Sequence, residues 1–118
     1  MIPAAIHLSA MVRDAGYHLI CIEQLRANRW LLLAESPEGE VLILAQQRPL
    51  ISACDVQDLA ELLRLSHANT GYLLAVDGRF SPEAQRTAAE LSQPQIVLCG
   101  SLPSVRQLHH PITALEIA

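Results

Sequence analysis

The chain has 118 residues, a formal net charge of −4 and no lysine, its eight basic residues all being arginine. That excludes a Schiff-base lysine, a P-loop lysine and a lysine general base, because arginine does not deprotonate in proteins. Hydrophobic residues make up 51% and charged residues 17%, which argues against disorder, and the acidic balance confines any nucleic-acid site to a local arginine patch.

In chain order, Ile2 to Ala15 places Ala5, Leu8, Met11, Val12 and Ala15 near helical spacing, with Pro3 where a first turn tolerates it. Gly16 is the expected C-cap. Three apolar runs follow: His18–Leu25, Arg29–Glu35 and Val41–Gln47. The gaps, Arg26-Ala27-Asn28 and Ser36-Pro37-Glu38-Gly39-Glu40, are turn-sized, so the runs predict an antiparallel three-stranded meander. The second and third runs are apolar almost throughout, as in a sheet covered on both faces.

Pro49 ends the third strand, and a helix is predicted from about Asp55 to Ala68. Asp55 serves as N-cap or first-turn residue, and Val56, Leu59, Ala60, Leu63 and His67 form one stripe. Tyr72–Val76 reads as a buried strand, and Asp77-Gly78-Arg79 as a turn. Ser81 caps the next helix with Pro82 at its first position, and Ala84, Ala88 and Leu91 face the sheet. Gln95–Cys99 is another buried strand, Gly100 to His110 holds a short helix, and Ile112–Ala118 is a terminal strand or tail. Strand–helix–strand in the second half implies a right-handed crossover and parallel pairing. The fold class is therefore α/β: one domain over 1–118, a mixed sheet flanked by helices on both faces.

Cys21, Cys54 and Cys99 have no zinc-ligand spacing and sit in or beside apolar runs, so buried reduced thiols and a reducing cytoplasm are expected. No signal peptide or membrane span is expected, since no apolar run approaches about 20 residues.

Two stretches carry a resemblance. VLILAQQRPLISACDVQDLAELL is similar to a strand ending in Gln-x-Lys followed by a loop and helix. GYLLAVDGRFSPEAQRTAAELSQPQIVLCG pairs a buried strand with a Phe-Ser-x-x-Ala helix start, an Ala-rich helix and a final strand ending in Gly. Together with the element order they resemble the PD-(D/E)XK restriction endonuclease-like fold, most closely the Mrr-type family, over roughly residues 5–108. Residues 109–118 are an added tail.

The resemblance implies metal-assisted phosphodiester hydrolysis. In that family an acid on the second strand and a Glu or Gln on the third hold Mg²⁺, and a lysine two positions later supports the attacking water. Gln46 falls on the Gln position, and Arg48 stands where the lysine belongs. Arginine keeps the charge but cannot act as a general base. At the start of the second strand stand Asn28, Arg29 and Trp30, none a carboxylate, so the candidate catalytic set is degenerate: Gln46, Arg48 and, as a migrated acid, Glu23.

Arg26, Arg29 and Arg48 are expected to cluster, as a phosphate-contacting patch or as surface arginines paired with carboxylates. Trp30 reads as a half-buried sheet aromatic rather than a base-stacking ring. Glu35 and Glu40 read as solvated turn charges, and His109-His110 as a surface tail. The leading expectation is a cytoplasmic, catalytically degenerate Mrr-like module that binds DNA or a protein partner and needs no cofactor. The alternatives are an active Mg²⁺-dependent endodeoxyribonuclease with a rearranged site, and a purely structural homo-oligomeric module. Mean hydropathy of +0.26 and the tail Ile112–Ile117 favour a dimer.

Overall fold

The computed structural model describes residues 4–91 and 93–105. Helix α1 (Ala4–Asp14) buries Leu8 and Val12, one helical turn apart. Gly16 ends it at φ +97°, a backbone conformation open to glycine without strain, while Tyr17 N–H returns to the Val12 carbonyl (3.2 Å). Strands β1 (His18–Arg26), β2 (Arg29–Ser36) and β3 (Gly39–Gln46) form the expected meander, each pair antiparallel. After β3 come a two-residue strand β4 (Leu50–Ile51), helix α2 (Ala53–Arg64) and strand β5 (Thr70–Ala75). A second short strand β6 (Arg79–Phe80), helix α3 (Pro82–Glu90) and strand β7 (Gln95–Cys99) complete the described fold.

The main sheet has the order β1-β2-β3-β5-β7, with β3·β5 and β5·β7 parallel. β3 is its central strand, and its two faces carry two cores. Val41, Ile43 and Ala45 join Trp30, Leu32 and Tyr72 under α1. Leu42 and Leu44 join Leu73, Val56 and Leu59 under α2 and α3. This explains the near-continuous apolar runs: strands covered on both faces have no wet side. Alternation then decides the site, because Gln46 continues the row of Leu42 and Leu44 toward α2. Arg29, opposite Gln46, shares that face with Leu31 and Leu33.

Several expectations need correction. α2 starts at Ala53, with Ser52 as its N-cap, so Asp55 is its third helical residue; it ends at Arg64 rather than Ala68. Beyond it the Ser66 hydroxyl donates to the Leu63 carbonyl (3.1 Å) and accepts from Ala68 N–H (3.1 Å), a side-chain turn that competes with further helix and leaves His67 exposed. Trp30 is buried, at 4% exposure, and faces α1, which removes it from any base-stacking role. Cys21 and Cys54 are exposed and Cys99 is half-buried, so the expectation of three buried thiols fails. Cys21 lies on β1, an edge strand whose pairing with β2 shifts register at Leu19/Cys21 and Gln24/Arg26.

The β4–β6 pair was unforeseen. It is parallel and anchors the chain after β3, with Arg79 N–H donating to the Pro49 carbonyl (3.1 Å) and Ser81 N–H to that of Ile51 (2.9 Å). Ser81 caps α3 as expected, accepting from Ala84 N–H at 3.0 Å. The helix expected from Gly100 does not start there, residues 100–104 being non-helical, and its remainder from residue 106, His109-His110 and Ile112–Ala118 lie outside the described residues.

Candidate functional site

At the end of β3, α2 turns its first residues back over the sheet. Ser52 N–H and Oγ donate to Asp55 Oδ2 at 2.9 and 3.2 Å, half of a capping box that fixes the carboxylate over the strand ends. Arg29 reaches it from β2: Nη2 donates to Asp55 Oδ1 at 2.8 Å, and Nη1 to Asp58 Oδ2 at 3.3 Å. Arg48 adds a looser ion pair, Nη1 standing 3.7 Å from Asp55 Oδ1. Asp55 is 2% exposed, so one buried carboxylate serves a helix cap and two guanidiniums.

Burial alone pushes the Asp55 carboxyl up. The Gln46 amide, the Ser52 backbone and hydroxyl and the Arg48 charge outweigh it and hold the acid below the usual carboxylate value. The Gln46 side chain is 1% exposed, and although its amide lies close enough to favour the Asp55 anion, Nε2 has no hydrogen-bond partner. Its backbone carbonyl accepts from Val76 N–H (2.8 Å).

Arg26, Asn28, Arg29, Gln46 and Arg48 line one cavity of about 230 Å³. The three arginines expected to cluster are thus neighbours. Arg29 is pinned by Asp55 and Asp58, Arg48 is half-exposed beside Asp55, and Arg26 is exposed with no ion pair among the described residues. Glu23 does not line the cavity; it is exposed on β1 opposite Leu31. Glu35 and Glu40 pair in register six residues along β2 from Arg29, roughly 20 Å away at strand rise, at the other end of the sheet.

The donor set does not fit Mg²⁺. A hard cation needs several oxygen ligands, and the one buried carboxylate already accepts from Arg29 and Ser52. Two guanidiniums crowd the same oxygen, and among the described residues no group of three His, Cys, Asp or Glu side chains could hold a metal. The arrangement instead presents hydrogen-bond donors and positive charge at a strand end.

Asp55 and Asp58 were missed as site residues. Asp55 read as a cap, which it is; its second role depends on Arg29 facing α2, a matter of strand register.

No protein-family model and no curated protein matches this chain. Among solved structures, the chain is similar to EndoMS in its apo form. The TM-score is 0.61 at 16% identity, covering 87% of this chain. It spans about half the length of that one (47%). The likeness gives the fold alone, an α/β domain with a mixed five-stranded sheet, and does not single out the Mrr-type family.

Proposed function

We propose that this is a nuclease-like domain that holds nucleic acid without cleaving it. The ion pair of Arg29 with Asp55 carries the reading. Where the resemblance calls for a metal-binding acid on β2, facing Gln46, this chain has an arginine that consumes the nearby carboxylate. Arg48, in the lysine position, retains charge for phosphate contact but no proton chemistry. The Mrr-type assignment rests on the Phe80-Ser81 helix start and Gln46-x-Arg48. A cytoplasmic setting and a dimer built on the tail belong to the same proposal.

Plasmid and single-stranded DNA incubated with the protein and Mg²⁺ or Mn²⁺ are expected to stay intact, while fluorescence anisotropy detects binding that Arg26→Ala and Arg48→Ala weaken. Cleavage abolished by Gln46→Ala or Glu23→Ala would overturn the loss of chemistry. Intact DNA without binding would favour a protein partner instead. In ultracentrifugation, a mass unchanged by removing residues 112–118 would count against the tail as the dimer contact.

A further inference from the structure

We propose that the cavity at the ends of β2 and β3 is an oxyanion site that takes one phosphate-type group, with Gln46 Nε2 as its floor. The inference deepens the nucleic-acid reading and rests on it for the source of that group. A buried polar group without a partner is rare in native structures and calls for an unseen ligand. Gln46 Nε2 is such a donor, in a side chain that is 1% exposed, lines a cavity open to solvent and lies beside the Asp55 carboxylate. The other residues that line the cavity are Arg26, Arg29 and Arg48, whose guanidiniums are donors, and Asn28.

Charge points the same way. Three guanidiniums meet two carboxylates, and Asp55 has both oxygens engaged by Arg29 and Ser52. The remaining positive charge sits on Arg26 and the exposed part of Arg48, both of which line the cavity. Planar guanidiniums beside an amide N–H suit tetrahedral oxyanions, whose oxygens accept several hydrogen bonds at once. About 230 Å³ holds a phosphate group with a few waters, each water taking about 30 Å³ of liquid. The site thus inverts the chemistry that the fold suggests: positive side chains would meet the phosphate directly, with no cation between.

The test follows the side-chain amide of Gln46 by ¹⁵N NMR during titration with inorganic phosphate. A saturable shift is expected, and Gln46→Leu should weaken phosphate binding about tenfold, the loss of one charge-assisted hydrogen bond. Arg26→Ala, which breaks no ion pair among the described residues, should weaken it several-fold and keeps the test open if Gln46→Leu fails to fold. An unshifted amide, or phosphate affinity unchanged in both variants, would overturn the site and leave Gln46 bound to water only. Competition by a 5′-phosphorylated oligonucleotide and its 5′-hydroxyl counterpart identifies the source. Stronger displacement by the phosphorylated strand supports a terminal phosphate, and equal displacement supports internal phosphodiesters. Displacement by neither leaves the oxyanion site standing and overturns the nucleic-acid reading alone.

Discussion

Asp55 holds the site together through a few atoms. Its oxygens accept from Arg29 and from Ser52 N–H and Oγ, so removing them leaves a guanidinium and a helix end unsatisfied at once. Asp55→Ala should destabilise by about 3 kcal/mol, the lower end for breaking a buried pair, because Arg29 keeps some contact with water. Asp58→Ala, at the half-exposed partner, should cost under about 1 kcal/mol. Urea midpoints of the two variants check the contrast. The acid dependence has a fixed sign. The folded Asp55 carboxyl sits below its unfolded value, so its contribution is complete above about pH 4 and lost as pH falls through the folded pKa. Denaturation followed from neutral pH through the acid limb should be less pH-dependent in Asp55→Asn than in the parent. The thiols separate similarly. Burial pushes Cys99 up to about 11, whereas Cys21 and Cys54 are exposed. A thiol reagent at mildly alkaline pH should label two sites quickly and a third slowly, with Cys99→Ser abolishing only the slow phase.

At the scale of elements, the turn after β5 fastens the strand end that carries Arg48. A Cβ on Gly78 would collide with the Arg48 backbone carbonyl, and the Pro49 carbonyl lies next beyond it at 3.3 Å. Backbone cannot yield by changing rotamer, so Gly78→Ala should cost about 3 kcal/mol by overpacking. It should also disturb Arg48 resonances more than those of distant α1, which a heteronuclear spectrum resolves. Gly71 is similar but softer. There a Cβ would meet Leu63 Cδ1 at 2.6 Å, a side chain that can move, between β5 and α2. These contacts mark what was legible beforehand. The meander, the parallel pairing of β5 with β7, the Ser81 cap and Gln46 at a strand end were readable because long apolar runs and turn residues agree, whereas the parallel pairing of β3 with β5 was not foreseen. β4 and β6 were not, since two residues carry no period. The Arg29–Asp55 pair was not readable either. Both residues were noted, but only the paired strands and the return of α2 show that they face each other.

For the whole molecule, the net charge of −4 sets a ceiling on nucleic-acid binding. The proposed site offers phosphate at most three arginines, so log affinity against log salt for duplex DNA should fall with a slope no steeper than roughly −3. Anisotropy across a salt series measures it, and a much steeper slope would assign contacts to other parts of the chain. β3 carries a further consequence, for the order in which the molecule assembles. Its pairing with β2 closes a short loop, whereas its pairing with β5 waits on the whole of β4 and α2. Local pairings form before distant ones, so Arg29 and Gln46 should come together with the meander, and Asp55 should join them only when the crossover docks. Pulse-labelled hydrogen exchange during refolding should protect the β2–β3 amides before those of β5. The chain would thus gather the arginines first and their carboxylate last.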